Sequence, residues 1–127
     1  MSERIVAERI IQQLHAARVA GDLAGMCSVF AAEGRFEILG ASADKPIAIR
    51  AQNLAEFRPW LSMMVKVFRL NNYQLLSLTV EMPRAVAHWR ADIYSKVTGA
   101  TVPTELVDVV EIEAERAAAY TEFFAPR

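Results

Sequence analysis

Two stretches near the C-terminal end, TELVDVVEI (residues 104–112) and RAAAYTEFF (residues 116–124), alternate in the way paired strands with one buried face must. Leu106, Asp108, Val110 and Ile112 share one side of the first stretch, and Glu105, Val107, Val109, Glu111 and Glu113 share the other. The first side is apolar except for Asp108. A carboxylate on an apolar wall needs a reason, because burying it unpaired is costly and pushes its pKa upward. In the second stretch Ala118, Tyr120, Glu122 and Phe124 share a side, which puts a phenol and a second carboxylate among apolar neighbours. With Glu113-Ala114-Glu115 read as a three-residue loop, Asp108 and Glu122 fall opposite each other on one face, about 5 Å apart.

The rest of the chain supplies what such a pair would fold against. Ser2 is a candidate N-cap with Glu3 in the first turn. Val6, Ile10, Leu14 and Ala17 recur at helical spacing, with Ile5, Ile11 and Arg18 widening the stripe. Gly21 ends that helix, and Asp22 caps a shorter one over residues 23–30 with Met26, Val29 and Phe30 as its buried side. Gly34 breaks the pattern, and residues 35–39 read as a strand with Phe36 and Ile38 on one face. Residues 40–45, small and polar before Pro46, read as a loop. Residues 51–68 read as a helix with Leu54, Phe57, Leu61, Met64, Val65 and Phe68 on its apolar side, starting or kinking near Pro59. Asn71-Asn72 marks a stop, and residues 73–81 and 85–95 read as strands joined through Met82-Pro83-Arg84. Helices gathered early and strands late predict an α+β fold: a cone-shaped, curved antiparallel sheet wrapped over N-terminal helices and enclosing a pocket, in one domain over residues 1–127.

The totals narrow the function classes. With 127 residues, 54% of them hydrophobic, the chain can bury a core of its own. A net charge of -1 without a basic run argues against nucleic acid as a partner. No apolar run has the length of a membrane span, and the opening MSERIVAERI has the form of neither a signal nor a transit peptide. A cytoplasmic, soluble protein is the expectation. The lone Cys27 allows no internal disulfide and reads as buried filler on a short helix. His15 and His88 lack partners at metal-ligand spacing, so no metal site is expected.

ARVAGDLAGMCSVFAAEGRFEI resembles the opening of the nuclear-transport-factor-2-like superfamily, above all its SnoaL-like (polyketide cyclase and ketosteroid isomerase-like) branch. AHWRADIY, LVDVVEI and AYTEFF resemble that superfamily's last three strands, so the likeness spans nearly the whole chain. The resemblance implies a homodimer packed through the sheet and a pocket for a small molecule. It implies no single activity, since the fold hosts isomerases, cyclases, epoxide hydrolases, dehydratases and non-enzymatic binders. In ketosteroid isomerases the general base would fall at Ile38 and the oxyanion-donating tyrosine at Leu14. Only the aspartic acid that an apolar site keeps neutral has its match, at Asp108. Arg90-Ala91-Asp92 resembles the Arg-x-Asp of limonene epoxide hydrolases, with Glu122 near the third position. Alternation, however, places Trp89, Ala91 and Ile93 on the pocket face and His88, Arg90, Asp92 and Tyr94 on the other. That triad therefore needs a one-residue bulge, failing which Arg90 and Asp92 form a solvated or subunit-facing ion pair.

The expected site is thus a largely apolar pocket lined by Trp89, Phe36, Ile38, Phe124, Leu14 and Ile93. Asp108 acts in it as acid or base, Glu122 as its partner and Tyr120 as a donor. No cofactor is expected. The activity is an isomerase, cyclase or hydrolase reaction on a small hydrophobic substrate; the alternative is a non-catalytic ligand-binding or dimerisation module. On the sheet's other side Val107, Val109, Ala87 and Phe123 are read as interleaved with polar residues, a mixed surface suited to a partner sheet.

Overall fold

The computed structural model describes residues 3–42 and 45–127, so the Ser2 cap lies outside the described residues. In chain order the elements are α1 (Glu3–Ala20), α2 (Leu23–Cys27), β1 (Phe30–Ser42), β2 (Lys45–Ala51), α3 (Leu54–Val67), β3 (Phe68–Glu81), β4 (Arg84–Ser95), β5 (Thr101–Glu113) and β6 (Arg116–Pro126). The six strands form one curved, unclosed sheet in the order β2-β1-β6-β5-β4-β3. Every neighbouring pair is antiparallel except β1 and β6, which run parallel. The helices pack inside the curve, α1 against β3 and α3 against β1. The α+β cone predicted from the element order is the fold found.

Local chemistry explains most boundaries. Gly21, at φ 73°, ends α1 in the left-handed conformation that favours glycine. The Asp22 carboxylate accepts from the Gly25 amide at 3.0 Å and opens α2. Asn53 caps α3 by accepting from the Glu56 amide at 2.9 Å, while Glu56 accepts from the Gln52 amide at 2.7 Å. The helix therefore starts before Pro59 and continues through it.

Several boundaries differ from the sequence reading. Residues 45–51 form β2, whereas the sequence reading ends a loop at Lys45, begins a helix at Ala51 and assigns no element between them; Pro46 is tolerated because this strand is a sheet edge, where a missing donor costs no ladder bond. α2 stops at Cys27, and β1 begins at Phe30 and runs through Gly34, with a shift of register against β6 between Phe30 and Arg35. Asn71 and Asn72 lie within β3 at a second irregularity, where Asn72 adopts φ 54°. The β5–β6 turn holds two residues, Ala114 and Glu115, both at positive φ, and the extra residue Ala118 forms a bulge.

The core sits between the helices and the concave face. Its largest fully buried side chains include Trp89, Phe36, Phe57, Ile11, Leu106 and, alone among charged residues, Asp108. Phe36 stacks on Phe57 at 4.4 Å, and Phe30 stands edge-on to Phe36 at 5.1 Å. Ile5 is exposed, whereas Ala7 and His15 join Ile10, Ile11, Leu14 and Ala17 on the buried stripe of α1. Ala87, assigned by sequence to the outer side, is fully buried and pairs with Asp108 on the inner one. No helix of the described residues is long and apolar enough to cross a membrane.

Candidate functional site

Strand register alone places the two carboxylates. β5 and β6 pair so that Asp108 stands opposite Glu122 and Val110 opposite Tyr120. Asp108 is 0% exposed and Glu122 2%. Each is held by a different residue of α1, one helical turn apart. His15 and Arg18 project from the same stripe as Ile11 and Leu14, and both reach the sheet's inner face.

Around Asp108 the contacts form a chain. Asp108 Oδ2 lies 2.7 Å from His15 Nε2, and His15 Nδ1 lies 2.6 Å from the Tyr73 hydroxyl. Burial, with the negative charge of Asp108 behind it, pushes the Tyr73 phenol up to about 12. It therefore keeps its proton at neutral pH. Among the described residues that hydroxyl has no other acceptor, so we assign its proton to a bond onto Nδ1. The imidazole proton is then on Nε2, donated to Asp108. Among the described residues the second oxygen, Asp108 Oδ1, is buried without a hydrogen-bond partner, and so is the indole Nε1 of Trp89. Trp89 faces Leu106 across β4 and β5, which makes it a diagonal same-face neighbour of Asp108. One unmatched acceptor and one unmatched donor therefore share the inner face of adjacent strands.

Around Glu122 the bonding is closed. Arg18 donates to both carboxylate oxygens, and the Tyr120 hydroxyl donates to Oε1 at 3.0 Å. The guanidinium also stacks over Trp89 with 5.2 Å to the ring centre, so the indole separates the two networks. Burial raises the Glu122 pKa and Asp108 adds to the rise, against the pull of Arg18 and of the hydrogen bonds from Arg18 and Tyr120. Burial likewise raises the Tyr120 phenol well above its ordinary value, with Asp108 and Glu122 reinforcing it. For Arg18, burial works against the charge, but Glu122, Tyr120 and Asp108 outweigh it and the guanidinium stays protonated. Two carboxylates share one permanent cation, and an excess buried negative charge is costly. That cost is the reason the Glu122 carboxyl keeps its proton to higher pH than an ordinary carboxylate.

The residues expected to line the pocket separate into two groups. Trp89, Ile38 and Leu14 are buried close in register or sequence to the polar groups: Ile38 pairs with Glu122 across β1 and β6, and Leu14 precedes His15. Phe124 and Ile93 are half-buried, Phe124 being level with Gly40 of β1. Phe36 is taken up by its stack on Phe57. Tyr120, expected as a donor to ligand, spends its proton on Glu122. Sequence reasoning missed His15, Arg18 and Tyr73.

Arg90 and Asp92 are not part of this site. β4 pairs with β5 from Arg84 to Tyr94 without a shift, so the bulge that an epoxide-hydrolase triad requires is absent from that pairing. Arg90 donates to Glu105 at 3.1 Å on the outer face, and Asp92 accepts from Asn72 at 2.8 Å. His88 also bonds Glu105, and this bond, ahead of Arg90, lowers the Glu105 pKa. Cys27 is half-buried, and Arg58 donates to its Sγ at 3.3 Å. Among the described residues no cluster of three or more His, Cys, Asp or Glu side chains is placed to hold a metal ion.

Two openings lie nearby. A depression of about 460 Å³ is bordered by Arg35, Glu37, Arg50, Arg84 and Glu111 of the outer face, and its lining also includes Phe36 and Tyr120. A hollow of about 150 Å³ is lined by residues 18–21, Val65, Phe68, Arg69 and Lys96, and so shares Arg18 with the site.

Solved structures share this architecture. A protein from Bacillus subtilis provisionally named an isomerase superposes with a TM-score of 0.83 at 17% identity, covering 98% of this chain and 89% of its own. An NTF2-like protein from Burkholderia xenovorans LB400 gives 0.77 at 18% identity, over 98% and 92% of the two chains. An LEH-like epoxide hydrolase from M. tuberculosis gives 0.75 at 12% identity, over 94% and 83%. At such identities the likeness establishes the fold alone. No curated protein matches the chain. A model of the SnoaL-like domain matches residues 11–120, most of the chain and all of the site except Glu122, and by that match the chain belongs to the SnoaL-like family.

Proposed function

We propose that this protein binds a small, largely apolar molecule and that Asp108 moves a proton to or from it without a cofactor, in an isomerase, cyclase or hydrolase reaction. One observation carries the reading: Asp108 is wholly buried, fixed through Oδ2 by His15, and its Oδ1 has no partner among the described residues. A carboxylate oriented on one oxygen and free on the other is what general acid–base transfer needs. The Trp89 N–H supplies a donor for a substrate oxygen beside it. Glu122, held by Arg18 and Tyr120, balances charge across the strand pair and does not itself meet the substrate. Asp108 has no exposure, so substrate enters by parting side chains around it.

The test is solvent deuterium incorporation into small enolisable ketones, together with hydrolysis of small epoxides, comparing the wild type with D108N. Loss of general acid–base transfer predicts a fall of about 100-fold or more. Equal rates in the two proteins overturn the reading. Binding without any turnover supports the second reading, a non-catalytic ligand-binding module, which Ile38 and Leu14 favour by standing where the isomerase groups would be.

The same reading includes a homodimer through the outer face of the sheet. Its support is the cross-strand pair Val107–Phe123 on that face, with Phe123 43% exposed. Light scattering that gives a monomer at micromolar concentration removes it.

A further inference from the structure

The hollow beside Arg18 has a composition that nothing above requires. It is small, about 150 Å³. Liquid water takes about 30 Å³ per molecule, so it has room for a group of a few heavy atoms. Three of the side chains around it are cationic, Arg18, Arg69 and Lys96, and none is acidic.

The pairing of Arg69 is also unusual for this molecule. Elsewhere arginines are matched: Arg4 to Glu8, Arg9 to Glu115, Arg35 and Arg84 to Glu111, Arg50 to Glu37, Arg90 and Arg127 to Glu105. Arg58 and Arg116 donate to Cys27 Sγ and to the Ser28 carbonyl. Among the described residues Arg69 is the one arginine with neither an ion pair nor a side-chain hydrogen bond, and Lys96 has no carboxylate partner either. Both are exposed, at the rim. Arg18 lies further in, its side chain 9% exposed, and part of its fork of five donors is left over from Glu122.

We infer that this hollow is an oxyanion site, in which Arg69 and Lys96, with Arg18 behind them, hold a carboxylate or phosphate group of a small ligand. The inference deepens the functional reading, on which it rests: the ligand then has an apolar body directed toward Trp89 and Asp108 and an acidic group at the entrance. Guanidinium and ammonium groups both suit such an anion, the first by paired N–H donors and the second as a point charge. An anion there also meets Arg18, which closes the carboxylate pair from this side, so occupancy of the hollow and the Arg18–Glu122 contact draw on one side chain. A competing structural role exists, since α1 and α3 both end at this hollow and cations stabilise helix C-termini.

Amide-resolved NMR titrations at low ionic strength separate these roles, using inorganic phosphate, hexanoate and hexanol as probes. The site predicts saturable shifts of residues 18–21, Phe68, Arg69 and Lys96 with phosphate, with hexanoate, or with both, and none with hexanol. Hexanoate alone identifies a carboxylate with an apolar tail; phosphate alone identifies a phosphate group. The doubly substituted R69Q/K96Q protein is expected to bind at least ten-fold more weakly, while R50Q, which removes a charge on the outer face, binds as the wild type does. Absence of shifts with either anion overturns the inference, as does equal weakening by R50Q. A lower melting temperature of R69Q/K96Q with unchanged anion binding assigns the cations to the helix ends and also overturns it. Because no turnover is measured, a negative result here leaves proton transfer at Asp108 standing, and a catalytically silent protein can still pass this test.

Discussion

His15 Nε2 meets Asp108 Oδ2 at 2.7 Å, a bond between residues 93 apart in sequence that fastens the first helix to the fifth strand inside the core. Neither group has another way to satisfy that atom, for His15 is 2% exposed and Asp108 0%. Position and orientation of the carboxylate thus depend on one imidazole, whose far nitrogen is in turn fixed by Tyr73.

Removing the imidazole therefore strands a buried charge. H15F keeps an aromatic ring at this position but leaves Asp108 with neither oxygen bonded among the described residues. Leaving a buried acceptor without its hydrogen-bond partner costs about 1–3 kcal/mol, and more when the acceptor is charged. Urea unfolding should show a loss of that order, and D108L in the same background should restore part of it. An H15F protein within about 1 kcal/mol of wild type would show that the contact is not holding the helix to the sheet.

Glu122 gives stability a pH dependence of definite sign. Its folded-state pKa is raised above the ordinary 4.5, first by burial and then by Asp108. Below that ordinary value both native and unfolded chains carry the proton, and the residue is neutral to stability. As the pH rises through 4.5 the unfolded carboxylate ionises first. Over the interval up to the raised pKa the native state binds more protons than the unfolded one, so stability falls with rising pH. Above the raised pKa the penalty is constant. The difference in unfolding free energy between E122Q and wild type should grow in favour of E122Q across that interval; a difference moving the other way would mean that the Arg18 pair outweighs burial.

Alternation made Asp108 and Glu122 legible, because a carboxylate on a period-two apolar face is conspicuous. The same logic at helical spacing applies to α1: residues 7, 11, 14, 15 and 18 lie along the buried side, so His15 and Arg18 interrupt it as plainly as Asp108 interrupts β5. The signal is present in the sequence, although spacing tests His15 only as a metal ligand. Tyr73 could not be found this way, since a bulge between Asn71 and Gln74 breaks the parity of β3 just where it stands. β2 was hidden by Pro46, which argues against a strand unless that strand is known to be an edge, and edges are set by tertiary pairing. For Arg90 and Asp92 alternation favours the outer face but allows a bulge; the unshifted β4–β5 register settles the face, and there they bond Glu105 and Asn72 and not each other as the sequence suggested.

Gly40 is predicted to be indispensable for a reason of space. It pairs with Phe124 in the parallel β1–β6 register, and a Cβ built on it would lie 2.5 Å from the Phe124 ring and 2.6 Å from the Phe124 carbonyl oxygen. A ring can turn away; a backbone carbonyl in a ladder cannot. Overpacking of this kind costs about 1–3 kcal/mol. G40A should lose stability by that amount in urea unfolding, whereas G99A, whose added Cβ meets nothing within 4 Å, should lose only what its φ of 74° imposes. Should G40A unfold at the wild-type urea concentration, Phe124 is not held against β1.

Tyr73 reports on the charge of Asp108 from outside the core. Burial and the Asp108 carboxylate together hold its phenol up to about 12, against an ordinary 10.0. The direction follows from the charges, since ionising Tyr73 would set a phenolate near a carboxylate with only the His15 ring between them. The Asp108 contribution vanishes in D108N while burial remains, so Tyr73 should ionise at lower pH in D108N than in wild type, yet still above the ordinary value. Alkaline spectrophotometric titration can follow this, with Y73F identifying the transition among the three tyrosines. An unchanged Tyr73 transition in D108N would mean that burial alone holds the phenol up and that the Asp108 carboxylate does not reach it through His15.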